Sequence, residues 1–113
     1  MIFRPELVDL IVAGRKTETR RPVKPGVGCR YQPGRSYAVQ PGRGKRAVCR
    51  IDVRSARLEC VGDIDDAAAR REGFDSREGF LDYWRGLYGS MELGQKVWAI
   101  AFAVSGGDEG NTP

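Results

Sequence analysis

"AGRKTETRRP", residues 13–22, puts four basic side chains and two threonines into ten positions. Such a run is either a basic strand whose side chains lie in solvent or the rim of a site for an anion. Thr17, Glu18 and Thr19 favour extended backbone, and Pro22 ends the extension. Just before it, "PELVDLIVAG" (5–14) predicts a short helix. Pro5 suits a first turn, Leu7, Leu10 and Ile11 share a face, and Gly14 is placed to take the left-handed conformation that closes it. Lys16 and Thr19 are three residues apart, so on a regular strand their side chains diverge. They meet only if Lys16 lies in the turn after Gly14, or if a bulge re-aims one of them.

Downstream, "KPGVGCRYQPGRS" (24–36) reads as a Gly/Pro-rich loop and "SYAVQ" (36–40) as a short strand. The turn "PGRGKR" (41–46) leads into an alternating strand from Val48 to Ser55. Cys49, Ile51, Val53 and Ser55 lie on one face, Arg50, Asp52 and Arg54 on the other. Residues 57–61 either continue this strand or pair back onto it. Two helices are expected next. Asp63 caps "IDDAAARRE", closed by Gly73, and Asp75 with Glu78 forms a capping box before "REGFLDYWRGLYG", where Phe80, Trp84, Leu87 and Tyr88 make an apolar stripe. In "KVWAIAFAV" (96–104) both faces are apolar, with Trp98, Ile100, Phe102 and Val104 opposite Ala99, Ala101 and Ala103. That predicts a central strand with a helix packed against its alanine side. Residues 105–113 lack core residues and read as a disordered tail.

The 113 residues are 41% hydrophobic and 30% charged, which fits one small domain, here residues 1–104. A chain of this length buries roughly 65% of its unfolded surface, enough for one core. The expected architecture is α+β, a small barrel-like sheet with flanking helices and strands at 16–21, 37–40, 47–55 and 97–104. A net charge of +4 and a pI near 9.2 favour a polyanion as partner, or simply basic surface loops. There is no histidine, which excludes histidine catalysis and Cys–His nucleophile pairs. Cys29, Cys49 and Cys60 form neither a zinc spacing nor a disulfide framework, so no metal or cofactor is indicated, and reduced thiols suit the cytoplasm. Leu7 to Val12 is too short to span a bilayer and Asp9 interrupts it, so no membrane association is expected.

Gly14-Arg15-Lys16-Thr17-Glu18-Thr19-Arg20-Arg21 resembles the G-x-K-x-x-(E/T)-x-R signature of ASCH domains, a branch of the PUA-like superfamily. "RIDVRSARLECVGDIDDAAARREGF" in the middle and "FLDYWRGLYG" followed by "KVWAIAF" strengthen the likeness to small ASCH-type proteins of phages and actinobacteria. The resemblance covers about residues 1–104. It implies a PUA-like β-barrel with a cleft between barrel and helices, and RNA or nucleotide-derived ligands. One similar branch hydrolyses the acetyl amide of acetylcytidine with a Lys, Thr and Glu set. Carried over by position, these are Lys16, Thr19 and Glu72, with Arg21 as the motif arginine.

The chemistry can be weighed separately. Amide hydrolysis needs a nucleophile, a base and a proton for the departing amine. Thr19 is the candidate nucleophile. Lys16 is the candidate base, provided its pKa falls from about 10.4 to nearer 7–8. Burial and crowding by Arg15, Arg20 and Arg21 push it that way. Glu72 falls at a helix end, where the carbonyl dipoles disfavour a carboxylate unless it has a cationic partner such as Lys16. Arg15, Arg20 and Arg21 are candidate ligand-binding cations, with Arg21 an anion anchor or a brace. Arg43 and Lys45, with Arg46, are further candidates that can track a phosphate backbone from their turn. Tyr31 and Tyr37 can stack on a base, Tyr37 being better suited to the core. Three functions stay open: an RNA- or nucleoside-binding protein, an amidohydrolase or ribonuclease, and a non-catalytic interaction module.

Overall fold

The structure is a computed structural model that describes residues 1–105. The expected disordered tail lies, from residue 106 on, outside the described residues, while Ser105 still belongs to the last strand. Pro5 opens helix α1 (Pro5–Val12), where its missing N–H costs nothing, and Gly14 at φ +79° turns the chain out of it. Leu7, Val8 and Ile11 form its buried face. The chain continues through β1 (Glu18–Pro22), β2 (Ser36–Val39) and β3 (Cys49–Cys60). A short 3-10 turn (Val61–Asp63), α2 (Asp66–Glu72), α3 (Arg77–Tyr88) and β4 (Lys96–Ser105) complete it. No helix of the described residues is long and apolar enough to cross a membrane.

The sheet is antiparallel in the order β1-β4-β3-β2, so β4 is central as its two apolar faces require. β3 runs unbroken through residues 57–60 rather than folding back. A register shift between Val53 and Ser55 marks a bulge that bends the strand. The expected barrel does not close: the fold is a small α+β one with an open sheet whose edges are β1 and β2. Closure needs the edge strands to pair with each other. β1 has five residues and β2 four, and the β2 edge is taken by the N-terminal chain instead. There Ile2 bridges Gln40, and the Phe3 N–H donates to the Gln40 carbonyl at 3.0 Å.

Two apolar clusters lie on either side of β4. Val97 packs with Val61, Ile64, Ala69, Phe80 and Trp84, whereas Phe102 packs with Phe3, Leu7, Ile11, Val39 and Ile51. Val97 and Phe102 are an odd number of residues apart and so occupy opposite faces.

Both helix caps differ from expectation. Asp65, not Asp63, caps α2 by accepting the Ala68 N–H at 2.8 Å. Asp63 is drawn into the 3-10 turn, which Arg77 braces by donating to the carbonyls of Gly62 and Ile64. Ser76, rather than an Asp75–Glu78 box, caps α3 through the Gly79 N–H at 3.2 Å. In α3, Phe80 and Trp84 are buried, but Leu87 and Tyr88 are each 42% exposed. The stripe therefore runs off the core in its last turn.

Gly73 ends α2 at φ +105°, and a Cβ there would sit 3.0 Å from Leu10 Cδ1. Left-handed backbone of this kind costs a side chain about 1–3 kcal/mol. Gly73→Ala is expected to lower the melting temperature by about 4 °C per kcal/mol lost, read by thermal denaturation, whereas Gly86→Ala in the middle of α3 is expected to leave it unchanged or raise it.

Candidate functional site

Lys16 precedes β1. Its backbone N–H donates to the Leu10 carbonyl, and the next N–H, from Thr17, donates to the Arg71 carbonyl at 2.8 Å. The α1–β1 connection is thereby tied to the last turn of α2, and Lys16 escapes the strand alternation that would have separated it from Thr19. Its side chain is 1% exposed. Nζ donates to Glu72 Oε1 at 2.9 Å, to the Glu72 carbonyl at 2.8 Å and to the Glu18 carbonyl at 2.8 Å. Three acceptors require the three protons of an ammonium, so this is the geometry of the charged form. The lysine neutralises Glu72 and also caps a carbonyl that the end of α2 leaves without a partner.

The network extends along β1. Glu18 and Arg20, two apart, lie on one face. Arg20 Nη1 donates to Glu18 Oε1 at 3.0 Å and to Glu72 Oε2 at 3.2 Å, while its Nη2 donates to Glu59 Oε1 at 3.2 Å. Arg71 Nε closes the outer side on Glu18 Oε2 at 2.7 Å. Arg20 stands opposite Ala99 of β4, which in turn stands opposite Arg57 of β3. The small alanines let the guanidinium cross β4 to Glu59. This explains the alanine side of β4: Ala99 and Ala101 stand opposite the charged residues Arg20 and Glu18. Among the described residues, no buried side-chain nitrogen or oxygen lacks a partner.

Burial pushes the Lys16 pKa below its ordinary 10.5, and the positive charges of Arg21 and Arg20 add to this. The charge and hydrogen bond of Glu72 oppose the shift without cancelling it. For Arg20 burial also acts downward, but Glu72, Glu59 and Glu18 overcome it and the pKa rises.

Above the network opens a cavity of about 280 Å³. Lys16, Thr19, Arg20, Arg21 and Glu72 form its polar side, Arg4 lies at its wall with Cζ 5.3 Å from the centre of the Tyr83 ring, and Phe3, Tyr83, Trp84 and Tyr88 provide rings. Thr19 is buried, and its hydroxyl accepts a long 3.4 Å bond from Arg21 Nε. Arg21 lies with Cζ 4.9 Å from the centre of the Phe3 ring and donates from Nη2 to the Ile2 carbonyl. Among the described residues it forms no ion pair.

The structure thus brings Lys16, Thr19, Glu72 and Arg21 to one concavity. Other expected site residues fare differently. Arg15 is exposed and does not line the cavity. Arg43 and Lys45 are exposed on the β2–β3 connection, of which only Pro41 reaches the cavity. Arg20 lines it, with its guanidinium held by the carboxylates of Glu18, Glu59 and Glu72. Tyr37 packs against the core, its hydroxyl accepting the Gln32 N–H. The sequence reading missed Glu18, Glu59 and Arg71 in the network and Phe3 and Tyr83 in the wall. A usable signal existed for one of them: Glu18 and Arg20 are spaced for one strand face.

In a comparison with solved structures, the chain resembles the ASCH domain of Lactobacillus crispatus, with a TM-score of 0.75 and 19% identity over 88% of this chain and 70% of that one. It also resembles an Enterococcus faecalis protein assigned to DUF984, with a TM-score of 0.69 and 18% identity over the same shares, 88% and 70%. The fold is therefore that of an ASCH domain. No family model matches the sequence, and no curated protein matches it.

Removing one partner of a buried ion pair costs about 3–5 kcal/mol, because the other charge stays buried. Lys16→Met and Glu72→Leu should each lose that much in urea unfolding, and the double variant should lose clearly less than the sum. The pH dependence has a definite sign. Because the folded pKa of Lys16 is lowered, between it and 10.5 the unfolded chain binds more protons at this residue, so its contribution to stability rises with pH. The stability difference between the native chain and Lys16→Met should accordingly widen, in favour of the native chain, from pH 7 to 10.

Proposed function

We propose that this chain is an ASCH-type protein that binds RNA or a nucleoside derived from it, with one base in the ring-walled cavity. The observation that carries this reading is the pairing of Phe3, Tyr83, Trp84 and Tyr88 with an Arg21 guanidinium that no carboxylate holds. A base has two apolar faces and a polar edge. Tyr83 and Tyr88, the two of these rings that are not buried, can supply stacking worth roughly 1–3 kcal/mol per base, Phe3 and Trp84 back the cavity, and Arg21 with Thr19 supplies partners for the edge. The volume, about 280 Å³, lies at the small end of ligand pockets, which run from roughly 300 to 1,000 Å³. A nucleoside suits it better than a large cofactor. The net charge of +4 favours approach of a polyanion.

A second reading is hydrolysis of an acylated nucleoside such as acetylcytidine, favoured by Lys16, Thr19 and Glu72 lining one cavity. The lowered Lys16 pKa assists a base. Against it, all three Nζ donors point to Glu18 and Glu72, and none to the Thr19 hydroxyl. Binding is the function the geometry supports better.

Titration of the protein with the four nucleosides, followed by tryptophan fluorescence, tests the reading. At least one nucleoside should bind, and Tyr83→Ala should weaken it tenfold or more; because Tyr83 also packs on Phe74, circular dichroism at the titration temperature checks that the variant is folded. Absence of binding by every nucleoside would overturn it. Incubation with acetylcytidine decides the second reading: cytidine released by the native chain but not by Thr19→Val establishes turnover, and an unchanged substrate assigns the cavity to binding alone.

A further inference from the structure

A second cavity, of about 750 Å³, adjoins the first, and Arg21 and Tyr88 line both. Its charged lining consists of Arg21, Lys24 and Arg30, with no aspartate or glutamate. None of the three cations forms an ion pair among the described residues. Two further rings face it, Trp98 and Tyr31. Tyr31 is set edge-on against Tyr37, with centroids 5.0 Å apart and planes at 86°, and Arg30 Cζ lies 5.6 Å from the centre of the Tyr31 ring. Arg21 of β1 stands directly opposite Trp98 of β4, on the same face of the sheet. The loop 23–35, which the sequence marks only as Gly/Pro-rich, thus forms one wall of a basic, ring-lined space continuous with the base cavity.

We propose that this second cavity holds the neighbouring nucleotide of a single-stranded nucleic acid, its base against Tyr31 or Trp98 and the linking phosphate at Arg21. The proposal rests on the reading of the first cavity as a site for one base and goes beyond it by assigning a second site, for the next nucleotide of a strand. Rings set in concavities engage unpaired bases, because duplex bases are already stacked on one another. Three cations without carboxylates match the charge of a backbone, and a continuous pair of cavities sharing one arginine matches a repeating base–phosphate ligand better than two separate small molecules.

The test uses labelled random-sequence hexamer pools of RNA and of DNA, with the nucleoside 5′-monophosphates as competitors, in fluorescence anisotropy. At least one pool should bind tenfold or more tighter than any monophosphate. Its affinity should fall with salt, with a log–log slope of about −0.7 for each phosphate contacted. Tyr31→Ala and the Lys24→Ala/Arg30→Ala pair change residues at the surface or only partly buried, so folding should be retained. Each should weaken hexamer binding at least fivefold and weaken monophosphate binding by a clearly smaller factor. Hexamers no tighter than monophosphates, or hexamer affinity indifferent to both variants, would overturn the proposal. Monophosphate binding that is lost in Tyr83→Ala but shows no hexamer gain removes the second site while the nucleoside reading stands. No binding by any probe removes both.

Discussion

An ammonium group withdrawn from water has to be surrounded by acceptors, and the surroundings of Lys16 Nζ organise this fold. Its acceptors come from two places distant in sequence, the carbonyl of Glu18 at the start of β1 and both the carbonyl and the carboxylate of Glu72 at the end of α2. Satisfying them fixes the α1–β1 connection against α2. Gly73 then turns the chain toward α3, and that placement sets Tyr83, Trp84 and Tyr88 over the polar side of the cavity. A buried ion network of this kind adds little net stability over a well-packed apolar equivalent. What it contributes here is geometry: the carboxylates of Glu18, Glu59 and Glu72 hold Lys16 and Arg20 in fixed positions.

The basic stretch at residues 13–22 consequently divides into parts with different work. Lys16 and Arg20 point inward and are neutralised within the protein. Arg15 stays in solvent. Arg21 lies at the junction of the two cavities with its charge uncompensated among the described residues. Of the four similar-looking cations, Arg21 is thus the one that lines a cavity without a carboxylate partner among the described residues, and the stretch is not a wholly solvated strand. The alanines of β4 belong to the same arrangement, since only a small side chain at position 99 lets Arg20 span from β1 to Glu59 on β3.

Much of this was legible in the residues. Pro5, Gly14 and Gly73 marked helix ends through backbone conformations few other residues adopt, and the double apolar face of "KVWAIAFAV" identified the central strand. Glu72 at an unfavourable helix end called for a cation, and Lys16 supplies it. Caps were less legible, because Asp63, Asp65, Asp75 and Ser76 all offer side-chain acceptors and the choice depends on tertiary bracing by Arg77. Whether the sheet closes was also hidden, since the N-terminal residues that take the β2 edge carry no strand pattern of their own. Glu59 and Arg71 gave no signal, because each joins the network through partners about forty or more positions away. The cavity rings were masked by a different effect: residues that serve a helix core and residues that wall a pocket share the same apolar spacing.

The central claim is that Lys16 is held inside the folded protein by Glu18 and Glu72, and amine reactivity measures it directly. Brief labelling of the native protein with an amine-specific acylating reagent, read out by peptide mass spectrometry, compares Lys16 with Lys24, Lys45 and Lys96, all three exposed. The account predicts that Lys24, Lys45 and Lys96 label within the pulse, while Lys16 stays unmodified until the chain is unfolded in denaturant. Labelling of Lys16 in the native protein at the rate of Lys24 would contradict it.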